Sequence, residues 1–424
     1  MQRLWIAALL VGCSTPAPAP GPIAGPIATP QEASTSPTVQ EARAFYGSQP
    51  PYLQPVPHQE TPAGLPDLRS ATCGTCHADI YAEWRISTHA RAWKDDPQFQ
   101  AELHKSRQPE HDVGWMCVNC HTPLENQLPR LVARLDGGAL DRPVYVENPN
   151  FDPVLQDDAI GCATCHVRDG AVLGPFGDTA APHPTRKAPE LLEVATCTRC
   201  HQASVNMPSV NLACAFETGE EWEAGPYDEE GSTCQACHMP AVARSLVAGG
   251  PVRNTRRHWF GGSLLAKQPR FEAELEPLKA VYPDGLALEW AAEPTLTTAG
   301  GVLRIALTNA EAGHMLPTGD PERFLRIEAS LHAGGEERWR DGVRIGQTWR
   351  WHPTAEKLDD NRLRPRERRV VELTVPALPG GDYELVLEAS KWRLNQENLG
   401  FHDLEGKTIA GRSTHRETRR LQIR

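Results

Sequence analysis

Residues 73–90 read Cys73-Gly-Thr-Cys76-His77-Ala-Asp-Ile-Tyr81-Ala-Glu-Trp84-Arg-Ile-Ser-Thr-His89-Ala90. The stretch opens on two cysteines separated by two residues, with a histidine directly behind. The same unit recurs as Cys117/Cys120-His121, Cys162/Cys165-His166, Cys197/Cys200-His201 and Cys234/Cys237-His238, so ten of the 12 cysteines fall into five such units. Cys-x-x-Cys-His is the attachment sequence of haem c. Two thiols add to the two vinyl groups on one edge of the porphyrin, and the next residue brings its imidazole under the ring as the proximal iron ligand. A zinc knuckle needs four ligands and no obligatory histidine after the second cysteine. A thioredoxin-like pair occurs once, near a βαβ pattern. With 16 His in 424 residues, five of five by chance is about one in ten million. The expected cofactors are five haem c groups.

The motif starts lie 44, 45, 35 and 37 residues apart, which leaves about one haem for every 33 residues of 73–238. That is too little chain for each haem to have its own domain. The haems must form the core themselves and lie close together. Cys214 belongs to no pair and reads as a small buried hydrophobe.

Closing each iron on its far side takes a second ligand, and eleven histidines remain. His77, Tyr81 and Trp84 share one face of a helix that is expected to run on to His89. Twelve residues separate His77 from His89, about 18 Å along a helix. Nitrogens on opposite faces of one iron are only about 4 Å apart. His89 is therefore expected to serve a different haem from His77. His183, in a Pro-bounded loop, His258, beside Trp259 and Phe260, and His314, in Gly313-His-Met-Leu-Pro-Thr-Gly319, are the other distal candidates. His58, His104 and His111 compete for the fifth position, with Met116, Met239 and Met315 as rarer alternatives.

The pattern Cys-x-x-Cys-His-x-x-x-Tyr-x-x-Trp-x-x-Ser-x-His-Ala over Cys73–Ala90 resembles the opening motif of the cytochrome c-554 family of multihaem cytochromes, and the likeness extends over roughly residues 70–260. It implies haems stacked in close pairs, with the distal histidine after the first motif bridging between haems. Its loop around His314 resembles loops of multihaem cytochromes that carry added β-domains. This chain has five motifs and a C-terminal region that the tetrahaem members lack.

Outward from the motifs, residues 1–12 read as a short export signal, with Arg3 followed by the apolar run Leu4–Val11. Leu10-Val11-Gly12-Cys13 resembles a lipoprotein signal-peptidase box, which makes Cys13 the expected lipidation site. Ser14 behind it favours an outer-membrane address, with the protein facing the periplasm or the cell surface. Residues 13–66 are expected to be a flexible tether, because 13 of the 38 prolines fall in 14–66. The haem-bearing domain is expected over 67–262 and a helical connector over 263–283.

Residues 284–424 carry alternating runs at Leu286–Trp290, Val302–Thr308, Phe324–His332, Val370–Val375 and Tyr383–Ala389, punctuated by Gly-Gly turns. Period-two alternation predicts antiparallel strands in a β-sandwich. The fold class expected is α+β: short helices and loops around stacked haems, followed by a sandwich-like domain.

The formal charge is −11, which argues against a nucleic-acid binder. Residues 285–424 balance at 21 basic and 21 acidic side chains, so the deficit lies in the first 284. No apolar run reaches the roughly 18 residues of a membrane span, so any membrane contact is through the lipid anchor. The expected function is electron transfer in the bacterial cell envelope, with redox proteins as partners. The alternative is a reductase or oxidase of a small nitrogen or sulfur compound at one five-coordinate haem. No Cys-x-x-Cys-Lys motif is present to support the nitrite-reductase version, and no catalytic side chains are assigned. A third reading makes the protein a redox-sensing binding module governed by its β-domain.

Overall fold

Thr38 caps a helix over Val39–Gly47, and the Glu41 side chain bonds back to the Thr38 amide. This reciprocal cap satisfies two of the orphan donors of the first turn. The helix buries Ala42 and Tyr46 in a cluster with Trp115, Leu131 and Val132, and the Val132 amide donates to Tyr46 Oη at 3.2 Å. The computed structural model describes residues 36–424 apart from 177–179, 208–211 and 352. The expected signal, the lipidation site Cys13 and the tether as far as residue 35 lie outside the described residues. The tether itself ends earlier than expected. Residues Pro37–Arg424 form one compact unit, and Leu53 and Val56 are core residues within it. The prolines of this stretch masked a Thr-x-x-Glu cap and a cluster of aromatic side chains able to bury themselves.

The attachment motifs sit on short helices: Ser70–Gly74, Gly114–His121, Cys162–His166, Ala195–His201 and Cys234–His238. The last four each end at the motif histidine. In the first, His77 instead stands at the N-terminus of the next helix, Ala78–Trp84. That helix stops at Trp84, so the continuous helix expected as far as His89 does not form. The Trp84 indole donates to Ile160 O at 2.9 Å, and His89 follows in a turn. Between the motifs the chain is not only helix and loop. Antiparallel hairpins pair Arg130–Leu135 with Pro143–Glu147, Gln202–Met207 with Leu212–Glu217, and Ala241–Ser245 with Val252–Arg256.

Short helical turns at Pro269–Phe271, Glu272–Leu275 and Glu276–Ala280 lead into the β region. There a three-stranded sheet runs in the order Leu286–Trp290, Gly301–Asn309, Arg368–Val375. A five-stranded sheet runs Glu356–Asp360, Glu336–Arg350, Phe324–Ala333, Gly381–Trp392, Gly411–Ile423. All neighbours in both sheets are antiparallel. One core lies between them, with Leu303, Ile305 and Leu307 from one sheet against Ile327, Leu331, Leu385 and Leu387 from the other. Alternation puts every second side chain inward, and burying each large aliphatic removes roughly 1.5–3 kcal/mol of exposed apolar surface. The strands Glu336–Arg350, Glu356–Asp360 and Gly411–Ile423 escaped the sequence reading because they are rich in charge. Their outward residues pair across strands, as in Arg416 with Glu388 at 2.8 Å.

The boundary expected near residue 284 is not a break between compact units. The β region is tied to the motif-bearing part by an ion pair of Arg362 with Glu221 and a contact of His402 Nε2 with the Glu102 carboxylate at 2.7 Å. Arg393 donates to Leu265 O at 2.9 Å.

Candidate metal centres

A cavity of about 2370 Å³ runs through the motif-bearing part and against the Pro317–Arg323 loop of the β region. A pocket for one small ligand measures ≈ 300–1,000 Å³, so this space suits several large groups. Four attachment motifs line it: those ending in His77, His166, His201 and His238. So do His89, His183, His258 and His314, the four distal candidates read from the sequence.

Four of the five motif imidazoles are held by the backbone. His77 Nδ1 donates to Leu246 O at 2.9 Å, His121 Nδ1 to Ala92 O at 2.6 Å and His166 Nδ1 to Leu173 O at 2.9 Å. His238 Nδ1 donates to Gly261 O. Two distal candidates repeat the arrangement, His258 to Arg256 O at 3.0 Å and His314 to Met315 O at 2.9 Å. A carbonyl only accepts, so Nδ1 carries the proton and Nε2 keeps its lone pair. A bond of this kind at the far ring nitrogen orients histidines that ligate metal. Burial lowers His89 to about 3 and His121, His201, His258 and His314 to about 4, which keeps these rings neutral and able to ligate.

Three pairs of imidazoles face each other across the cavity. Ring centres are 6.3 Å apart for His89 and His201, 6.2 Å for His166 and His258, and 6.3 Å for His238 and His314. Two metal–nitrogen bonds of about 2.0–2.1 Å, plus roughly 1.1 Å from each nitrogen to its ring centre, sum to this spacing. It is too wide for a ring-to-ring contact and fits an iron between the two. Among the described residues no group of three or more His, Cys, Asp or Glu could hold a bare metal ion. The remaining ligands would have to come from a macrocycle such as porphyrin, so the residues fit haem c. Phe260 closes one wall, its ring 4.4 Å from His89 and 5.7 Å from His258.

Two motifs differ. Among the described residues His77 has no imidazole across from it at this spacing. His183 lines the same cavity, half-buried, in a loop whose Pro182 carbonyl packs against Gly64. His121 lies outside the cavity lining, and Phe99 stacks on its ring at 3.6 Å between centres. None of the competing histidines reaches it among the described residues. His58 pairs with Glu60 at 3.2 Å, His104 is exposed and His111 is half-buried. His402, which the sequence reading did not promote, is bonded to Glu102 at 2.7 Å. His352 lies outside the described residues.

The cysteines show how the motifs adjoin. Cys73 and Cys162 are within hydrogen-bonding reach of one another, as are Cys120 and Cys200, and Cys197 and Cys234. The first motif thus abuts the third, while the second and fifth both abut the fourth. The odd thiol, Cys214, is half-buried in the Leu212–Glu217 strand, and burial pushes its pKa well up.

Residues 72–137 match the model of the family described as cytochrome c554 and c-prime. Over those residues the chain is similar to this family of multihaem cytochromes c. The chain also resembles in fold the crystal structure of a penta-heme cytochrome c552 from Thermochromatium tepidum. That match has a TM-score of 0.57 at 17% identity and covers 85% of this chain and all of the other. The human F-spondin reeler domain aligns with a TM-score of only 0.14, at 14% identity over 34% of this chain and 91% of its own, too poor a superposition to argue from. No curated protein sequence matches this chain.

Proposed function

We propose that the cytochrome relays electrons in the cell envelope through five covalently bound haems, anchored to the outer membrane by a lipid on Cys13. The observation that carries this reading is the set of three facing imidazole pairs at 6.2–6.3 Å. Each joins a motif histidine to one remote in sequence. In this reading His201 and His89 hold the fourth haem, His166 and His258 the third, and His238 and His314 the fifth. His77 takes His183 by elimination, since these are the two cavity histidines left over. Each haem supplies one iron cycling between its ferric and ferrous states. At the three paired sites the chain would supply a ligand on both faces, so that little moves when charge changes. The cysteine contacts join the first haem to the third and the fourth to both the second and the fifth. The electrostatic effect of Cys165 on Cys197 and of Cys200 on Cys165 supports a link between the third and the fourth. Donor and acceptor would be redox proteins of the envelope.

A second reading is favoured by one observation: no imidazole stands across from His121 among the described residues. An open iron at that site would let a small nitrogen or sulfur compound bind, and the protein would then be a reductase or oxidase.

One experiment decides both points. Protein matured with haem should carry five haems by mass and pyridine haemochrome assay, and three or fewer would remove the reading. Spectra should show at least four low-spin bis-His haems. If cyanide, nitrite and hydroxylamine leave the spectrum unchanged, or bind without being turned over, the carrier reading stands. Turnover at a high-spin haem would replace it with the enzyme.

A further inference from the structure

Arg323 is the residue whose surroundings the relay does not explain. It ends the loop that follows Pro317 and immediately precedes the Phe324–Ala333 strand, with its amide bonded to Asp320 O at 3.0 Å. Its backbone is thereby fixed, and its half-buried side chain lines the cavity beside Phe216, Thr318 and His201. Its charge is felt at both His201 and His314.

Several other cavity cations have partners. Lys267 pairs with Asp96 and Lys391 with Asp284, while Arg393 bonds the Thr408 hydroxyl and the carbonyls of Leu265 and Ala266. Arg323 has only a long bond from Nη1 to Thr318 O at 3.4 Å, and among the described residues no carboxylate within ion-pair distance. Asp320 feels the Arg323 charge but lies beyond ion-pair distance and has bonds of its own. It accepts from the Glu322 amide at 2.9 Å and from Gln98 Nε2 at 3.4 Å, and burial raises its pKa. A half-buried guanidinium is stabilised by a neighbouring anion, and its planar fork matches a carboxylate in two-point contact. The only ionised groups on a haem are its two propionate carboxylates.

We propose that Arg323 is a carboxylate-binding residue of the cavity, and that it holds a propionate of the haem between His201 and His89. The proposal rests on the five-haem reading above. It gives the β region a second task besides offering His314: it sets the charge beside a haem at the branch of the path. A cation near iron disfavours the more positive ferric state, so Arg323 holds that haem's potential up.

The test uses the full haem-loaded protein with Arg323→Gln and Arg323→Lys, followed by potentiometric titration in an optical cell. In Arg323→Gln one midpoint potential should move to a more negative value while the haem count and the low-spin signals stay as in the wild type. Arg323→Lys should move it less. Should Arg323→Gln fail to mature, Arg323→Lys still keeps the charge and loses the fork, and one propionate bending band in its resonance Raman spectrum should shift. Potentials and band unchanged in a five-haem variant overturn the proposal and leave the relay untouched, whereas a wild type with fewer haems fails the relay itself. A wild-type midpoint that responds to nitrite or phosphate at constant ionic strength, with no response in Arg323→Gln, assigns the site to a free oxyanion and overturns the propionate assignment.

Discussion

His314 belongs to a strand-connecting loop 76 residues beyond the last motif histidine (314 − 238), yet its ring lies parallel to that of His238 at 6.3 Å, tilted by 6°. Its Nδ1 bond to the next carbonyl leaves Nε2 aimed at the cavity. His314→Gly should leave five haems in place and convert one low-spin ferric signal to high-spin in the EPR spectrum, with added imidazole restoring it. An unchanged low-spin count would return the loop to a packing role. Gly64 makes a complementary case at the first motif. Its φ is +88°, and a Cβ there would collide with the Pro182 carbonyl, next to His183. A non-glycine residue in a left-handed conformation costs on the order of 1–3 kcal/mol, and here the His183 loop must also retreat. Gly64→Ala should therefore alter the signal of one haem and spare the others. Equal spectra would separate His183 from His77.

The loop Asp360–Arg362 shows how a charged element can be held where the sequence suggests only a surface. Arg362 is buried, bonds Asp360 at 2.9 Å and reaches Glu221 on the Thr218–Glu223 helix. Burial by itself would raise the Asp360 carboxyl, but the bonds from Arg362 and Lys357 outweigh it and bring it to about 2. A carboxylate held below its unfolded value adds stability above that unfolded value and loses it as pH falls through the folded one. Asp360→Asn should thus lower the melting temperature at pH 6, with the gap to wild type closing between pH 4 and about 2. A gap that persists at the lowest pH would mean the carboxylate charge is not what holds the loop.

Because residues 37–424 form one compact unit, damage to the sandwich core should be felt at the haems. Ile327 is fully buried between the two sheets, and truncating such a side chain to alanine costs about 2–5 kcal/mol. Ile327→Ala should lower a single melting transition, read alike by far-ultraviolet circular dichroism and by the Soret band. Two separated transitions would show that the sandwich melts on its own.

The five Cys-x-x-Cys-His motifs were legible because covalent haem attachment would impose its own spacing: thiols two residues apart and an imidazole directly behind are needed whatever surrounds them. His89, His183, His258 and His314 were legible as candidates, by loop and aromatic context. Their partners were not, except that helix length already forbade His89 to share an iron with His77. Which ring faces which is a matter of a few ångströms across a cavity, set by hairpins, turns and a sandwich loop that meet from distant parts of the chain. The strands carrying Leu303, Ile327 and Leu385 announced themselves by alternation, since period two is a local property of a half-buried strand. The charged strands, the folded segment after Thr38 and, among the described residues, the lack of an imidazole across from His121 and of a carboxylate within ion-pair distance of Arg323 depend on how the chain packs. Only packing decides those, because burial and pairing are properties of the assembled core and not of any window of residues.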